Sequence, residues 1–490
     1  LSVLVHGWGF ARLCGQTSLI AFVNRPLLES DLNRDPMNGS ERRAVTALAA
    51  VFGLRMFGLF LVLPVMALYA SALDGATPLM VGMALGAYGL TQALLQIPFG
   101  MLSDRFGRKP LIVIGLAIFA LGSVVAAMAD TITGVVLGRA LQGSGAIAAV
   151  VLALLADLTR EQQRTKAMAL VGMSIGASFL VALMAGPVVD RWVGVSGLFW
   201  LTMVLAIAAA AVVIWVVPTP QRMVRDPGVR PSRERLREAF FDPQLLRMDI
   251  GIFILHMVLT ALFVAIPFEL ISILGLARDA HWQVYVPVLV ASVVVMAPLL
   301  ILGMRRGWTF LVFRLAIAIL LAAQVLLFGW SAETVPLVVG LGLFFVGFNL
   351  LEAMLPSMMS RLAPGYAKGT AMGIYNTFEF SGVFVGGALG GLSYGAWGAG
   401  GVFGLCAAAT ALWLAIAWVG RTPPLRNSIT LQLEEEPGLD LQELERRLRV
   451  ITGVHDVTVL PADRVAYIKV DDEHFESSQV YALRGVLSAS

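Results

Sequence analysis

The sequence predicts an all-α membrane protein of twelve transmembrane helices in two six-helix bundles, followed by a small α+β domain. Three observations carry that expectation. Of 490 residues, 58% are hydrophobic and only 14% charged, whereas soluble domains hold about 45–50% and about 25%. Twelve apolar stretches, each close to the roughly 20 residues that cross about 30 Å of hydrocarbon, fall six and six around the polar segment Pro218 to Arg247. Lys and Arg crowd one set of alternate loops: twenty-two there, against only Arg191 and Arg278 in the other set. The positive-inside rule then places both termini in the cytoplasm and requires an even number of crossings.

The first six stretches lie near 45–71, 79–102, 110–129, 132–156, 166–189 and 196–217. The second six lie near 248–271, 283–304, 310–330, 335–360, 367–391 and 397–419. This divides the chain into an N-terminal extension (1–40), a first bundle (41–217), a cytoplasmic linker (218–247), a second bundle (248–420) and a soluble domain (427–490). The extension opens on Leu1, and His6 and Arg12 break its apolar run, which leaves no signal-peptide pattern. Met37 is the expected biological start.

Beyond Pro423-Pro424 the character changes. Residues 428–490 hold twelve acids and six bases, a density that marks a cytoplasmic soluble domain. Ile429, Leu431 and Leu433 alternate as in a strand. Leu441, Leu444, Leu448 and Ile451 recur at helical spacing, with Gly453 placed to end the helix. Val454 to Val459 and Val465 to Val470 give two more strands around a Pro461-Ala462-Asp463 turn, and Tyr481, Leu483 and Val486 give a last helix. The order β-α-β-β-α is that of a ferredoxin-like fold, although little chain remains after Leu487 for its fourth strand.

Several function classes drop out. Cys14 and Cys406 lie too far apart to form a bridge framework or a thiolate metal site, and the tail histidines His455 and His474 form no cluster. No paired catalytic acids, Ser/His dyad or phosphate-binding Gly-x-x-x-x-Gly-Lys loop is present, so neither an enzyme nor an ATP-driven pump is expected. No metal, cofactor or nucleic-acid partner is expected. The expected partners are a small-molecule substrate, protons and the bilayer, with a regulatory ligand or self-association as options for the tail.

Between the second and third stretches stands Gly100-Met-Leu-Ser-Asp104-Arg105-Phe-Gly107-Arg108-Lys109. Gly100 permits close helix approach, Gly107 a tight turn, and Arg105, Arg108 and Lys109 hold the loop at the cytoplasmic surface. Asp104 needs a partner there: Arg108, through it Asp157, or the positive N-terminus of the eleventh helix near Tyr366. A degenerate echo recurs at an offset of 200, where Pro298, Arg305 and Gly307 match Pro98, Arg105 and Gly107, as a duplicated half would give. The segment resembles the signature of the major facilitator superfamily between those same helices. Arg139-Ala-Leu-Gln142-Gly143 resembles the family's fourth-helix motif, and Gly172, Gly176 and Gly186-Pro187 resemble the motif of its drug:proton antiporter branch, with Asp190 departing from that pattern. The stretch Phe52-Gly-Leu-Arg55-Met-Phe-Gly-Leu-Phe-Leu-Val-Leu-Pro64, Arg164 to Met168 and the ferredoxin-like tail are similar to a bacterial member of that superfamily. The resemblance implies proton-driven efflux by alternating access, with Asp104, Arg108 and Asp157 clamping the cytoplasmic side against the eleventh helix.

Charged groups inside hydrocarbon are costly and mark function. Arg139, with Gln142 on its face, is expected to line an aqueous cavity, and Arg55 lies deeper still. Glu379, with Tyr375 and Asn376 on its face, leads the candidates for proton coupling, followed by Glu352, Glu269 and His256. Gly172, Gly176, Gly186 and Pro187 are expected to pack the fifth helix on the eighth, by a specific motif or by generic small-residue packing. Uptake by proton symport or facilitated diffusion, and a membrane sensor signalling through the tail, are the competing functions.

Overall fold

The computed structural model describes residues 36–219, 233–364, 368–419, 427–433, 441–460 and 465–470, with the single positions 475, 479, 480, 483 and 486. The proposed start region before Pro36, Tyr366 and the Pro461 turn lie outside the described residues.

Ten continuous helical runs are long and apolar enough to cross a membrane. Two of them, Glu161–Trp215 and Lys368–Val419, hold 55 and 52 residues. At 1.5 Å per residue each would reach roughly 80 Å, far beyond one hydrocarbon layer. Each contains one non-helical residue, Gly194 at φ +67° and Gly398 at φ +64°, in the left-handed region that only glycine enters freely. There the chain turns back on itself. Beyond Gly194 it returns to the end it came from, where Lys109 Nζ donates to the Val217 carbonyl at 2.8 Å. Beyond Gly398, Trp413 packs on Gly251 while Gly382, before the turn, packs on neighbouring Phe253. Ten runs are therefore twelve spans.

The first span is Gly39–Ser71, opened by an Asn38/Glu41 capping box. The second is Pro78–Phe106, the third Arg108–Ala127, and the fourth Ile132–Leu158, interrupted around Gly145. The fifth and sixth share Glu161–Trp215. A short amphipathic helix, Arg233–Phe241, leads into the seventh span, Pro243–Ser272. The eighth, ninth and tenth are Trp282–Arg305, Thr309–Trp330 and Thr334–Leu362, and the last two share Lys368–Val419. The halves echo one another locally: Gly107 (φ +96°) and Gly307 (φ +67°) turn the chain at equivalent places.

Each half has its own apolar interior, and the large side chains left exposed, such as Leu94, Leu137, Val294 and Val335, are those that lipid would cover. The halves meet tightly at the end away from the basic loops. A Cβ on Gly82 of the second span would overlap the Gly387 carbonyl of the eleventh, and one on Gly391 would overlap the Pro78 carbonyl. Only residues without side chains allow this backbone-to-backbone contact, which dispersion stabilises in lipid.

In the tail, β1 (Asn427–Gln432), β2 (Val454–Leu460) and β3 (Val465–Val470) form an antiparallel sheet in the order β1-β3-β2, with the helix Leu441–Val450 between β1 and β2. Leu444, Leu448, Val457 and Ile468 form its core. Val486, expected in a last helix, instead bridges Leu433 antiparallel, on the free edge beside β1 where a ferredoxin-like fourth strand belongs. The domain touches the membrane body where Lys469 Nζ donates to the Leu362 carbonyl, at the end of the tenth span, at 3.1 Å.

Replacing Gly82 with Val is expected to wedge the second and eleventh spans apart. Spin labels at positions 192 and 397, in a background lacking Cys14, should then report a longer separation than in the parent. An unchanged distance would show that the contact does not hold the halves together.

Candidate functional site

The second half gathers three of the predicted ionisable residues. His256 of the seventh span lies with its Nε2 at 3.6 Å from Glu379 Oε1 of the eleventh and 3.9 Å from Glu352 Oε2 of the tenth. Its Nδ1 lies 3.3 Å from the Ile252 carbonyl. That contact assigns the ring proton to Nδ1 and leaves Nε2 free to take a proton between the two carboxyls. Tyr375, one turn before Glu379, is buried with no partner for its hydroxyl. Asn376 is half-buried beside it. Glu269 does not join this cluster: it lies 13 residues beyond His256, roughly 20 Å along the helix. One turn before Glu352, Asn349 donates to Ser292 at 2.9 Å, tying the tenth span to the eighth.

The first half answers with a buried cationic knot. Arg55, 1% exposed, donates to Tyr88 Oη, Gln92 Oε1 and the Gly145 carbonyl, all at 3.0 Å. The break in the fourth span at Gly145 turns that carbonyl aside, a common way for an interrupted span to supply a polar ligand. Arg139 donates to the Ala84 carbonyl at 3.2 Å and to Gln142 Oε1 at 2.9 Å, and Gln142 donates on to Ser123 at 2.8 Å. The expectation that Arg139 lines water is corrected: it is 5% exposed, and helices supply its partners. Hydrogen bonds to a charged group each offset about 1.5–3 kcal/mol, comparable to the roughly 2.5–3.5 kcal/mol cost of placing Arg in hydrocarbon.

An aromatic layer separates the two clusters. Tyr88 meets Phe380 edge-on at 5.9 Å, and Phe179 of the fifth span meets Phe348 of the tenth at 5.6 Å. Both pairs cross between halves. Phe348 also flanks His256 at 5.9 Å. Tyr88 therefore presents its ring to the acidic cluster while its hydroxyl binds Arg55.

At the basic end, Arg108 holds Asp104 (2.5 Å), Ser103 (2.5 Å) and Asp157 (3.3 Å), all within the first half. Asp104 is 60% exposed, and its ion-pair partner among the described residues is Arg108 of its own half. Arg105 stacks on exposed Phe106 at 5.4 Å. Gly100 is loosely packed, since an added Cβ would come no nearer than 4.0 Å to Ala149. The fifth-helix motif also differs from expectation. Gly172 and Gly176 face open space, and Gly186, beside Pro187, packs on Leu61 of the first span, not on the eighth. A cavity of about 410 Å³ opens here between the halves, lined by Ile97, Phe240, Ile374 and Phe378.

The far end carries the inter-half ion pairs. Asp190, the residue that departs from the antiporter pattern, is buried, and Arg278 of the second half binds it at 2.6 Å and 3.2 Å. Arg191 and Asp279 add a weaker pair at 3.5 Å. Sequence reasoning missed this gate, although Arg191 and Arg278 were the only bases in their set of loops. It also missed buried Glu41, which pairs with Arg160 at 2.9 Å and ties the first span to the start of the fifth. Among the described residues, the inter-half ion pairs thus lie at the far end and the inter-half cavity at the basic end.

Replacing Asp190 with Asn should weaken far-end closure by about 1–3 kcal/mol, between the values for exposed and buried pairs. Thiol labelling at position 264, which is 1% exposed where the seventh span packs on the first half, should rise. Exchanging the charges (Asp190→Arg with Arg278→Asp) should restore protection; if it does not, the pair is not the fastening.

Comparison with known proteins follows this geometry. The sequence pattern of the Major Facilitator Superfamily matches residues 48–387. The chain is 43% identical to the inner membrane transport protein YajR of Escherichia coli (strain K12), over 90% of this chain and 97% of that protein. It is 28% identical to the multidrug resistance protein MdtH of Yersinia enterocolitica, over 69% of this chain and 82% of that one. Among solved structures, a D-xylose-proton symporter superposes with TM-score 0.60 at 14% identity, covering 76% of this chain and 97% of that one. The human organic anion transporter MFSD10 gives 0.57 at 18%, covering 78% and 100%.

Proposed function

The chain belongs to the Major Facilitator Superfamily, and on that premise we propose that it is a proton-coupled efflux transporter of small molecules in a bacterial inner membrane. It is a transporter and not an enzyme. In this reading the basic end is cytoplasmic, both termini lie there, and residues 41–217 and 248–420 are the two moving bundles.

The observation that carries the proposal is the convergence of His256, Glu352 and Glu379 beside an aromatic layer between the halves. One cluster can then hold either protons or a bound solute, and exclusion of one by the other is what antiport requires. Closure at the far end with a parted basic end makes this the inward-facing state. In the outward-facing state, Asp104 would leave its exposed position and meet the N-terminus of the eleventh span, whose helix dipole favours an anion. Each event needs only a differential affinity of a few kcal/mol to shift the balance of states. The contact of Lys469 with the end of the tenth span supports a role for the tail in biasing the same equilibrium.

Vesicles bearing the purified protein, given an imposed pH gradient and a panel of lipophilic dyes, test the proposal. Dye should move against the proton flow and acidify the compartment facing the basic end. Glu379→Gln should abolish the gradient-driven part, and Asp104→Asn should slow it several-fold while leaving membrane insertion unchanged. Movement of solute and protons in the same direction would instead establish uptake by symport.

A further inference from the structure

The seventh span carries an acidic residue that the functional cluster does not use. Asp249 is 0% exposed, and neither carboxylate oxygen has a hydrogen-bond partner. It shares a helix face with Ile252 and His256, two turns from the histidine and roughly 10 Å nearer the basic end. Across from it, on the eleventh span, Tyr375 also has an unpartnered buried hydroxyl, and lies within electrostatic range of Asp249, Glu352 and Glu379 alike. Gly382 packs on Phe253 and Gly386 on Met257, a register that sets Asp249 level with the helical turn from Tyr375 to Glu379. Glu352 is the third residue here with an atom lacking a hydrogen-bond partner, its Oε2.

Among the described residues, other neighbours do not account for the carboxyl. The twelfth span presents Trp413 to this part of the helix, against Gly251. The Arg233–Phe241 helix brings Arg237 and Glu238, both exposed. The first half meets the seventh span at the far end, through apolar Val264. A metal ion would need several oxygen ligands, and no group of three His, Cys, Asp or Glu that could hold one occurs among the described residues. A proton needs only one carboxylate. A lone buried charge is unfavourable unless something neutralises it, so a proton is the cation this site can take.

We propose that Asp249 is the proton station between the basic end and the His256–Glu352–Glu379 cluster, with the Tyr375 hydroxyl as the intervening relay. This rests on the proton-coupled reading above and extends it with a route. On loading, Tyr375 gives its hydroxyl proton to Glu352 or Glu379 and takes one from Asp249. Asp249 is then reprotonated from water at the basic end, so one proton enters for each one delivered.

The test needs no transported solute. The full-length protein in phosphatidylethanolamine/phosphatidylglycerol vesicles is followed by infrared difference spectroscopy of the carboxyl C=O stretch after a pH jump. Asp249→Asn should remove one carboxyl component and slow protonation of the remaining ones by roughly a hundredfold, the scale of a lost positioned proton carrier. Asp249→Glu should restore the rate. Tyr375→Phe should slow it equally while leaving the Asp249 component in place, and it serves if Asp249→Asn fails to assemble. The proposal is overturned if the Asp249→Asn spectrum matches the parent, if both variants protonate at the parental rate, or if a sodium step reproduces the Asp249 signal. Should Glu352→Gln and Glu379→Gln remove no component, the cluster's role fails instead, and the Asp249 band remains visible as a separate result.

Discussion

Backbone-to-backbone contact between the second and eleventh spans is the constraint on which the arrangement depends. In lipid, apolar side chains gain little by leaving the solvent, so helices associate through close packing and polar contacts. The second and eleventh spans meet where Gly82, Gly86 and Gly387 bring main chains together. That contact closes one end and sets the depth at which Tyr88 meets Phe380. The buried Asp190–Arg278 pair fastens the same end. With closure concentrated there, the basic end is left to part, and the ionic groups of the first loop motif turn inward to their own half.

The two halves bury charged groups of opposite sign at their centres. In the first, Arg55 and Arg139 donate to amide, hydroxyl and carbonyl oxygens in a network that ties the first four spans together, while Arg55 Nε and Nη1 keep no hydrogen-bond partner. In the second, Asp249, Tyr375 and Glu352 keep buried polar atoms without partners. Unmet polar groups in a low-dielectric interior are costly and are retained where their charge state must change. In the function proposed above, the second half is the one that exchanges protons, with the aromatic rings as its boundary.

Much of the architecture was legible in the sequence because membranes impose a simple grammar. Hydrocarbon thickness dictated the spacing of apolar stretches, and the basic loops counted the crossings, which is why twelve were read correctly even where Gly194 and Gly398 leave two pairs as continuous runs. The tail was legible to the level of strand order for the same kind of local reason, through alternation in Ile429 to Leu433 and helical spacing from Leu441. Val486 was misread because a single bridge residue carries no periodicity.

Composition and spacing alone determined that this chain crosses a membrane twelve times, carries a soluble α+β tail and places costly charges at Arg55, Arg139, Glu352 and Glu379. These are consequences of solvent transfer, which acts residue by residue. Tertiary structure alone decided which charges meet: His256 between two carboxyls, Asp190 with Arg278 across the halves, Arg139 among helices rather than water, and Asp249 with no partner. Those outcomes depend on rotation and depth between spans distant in sequence, set by small-residue contacts that hydropathy does not register.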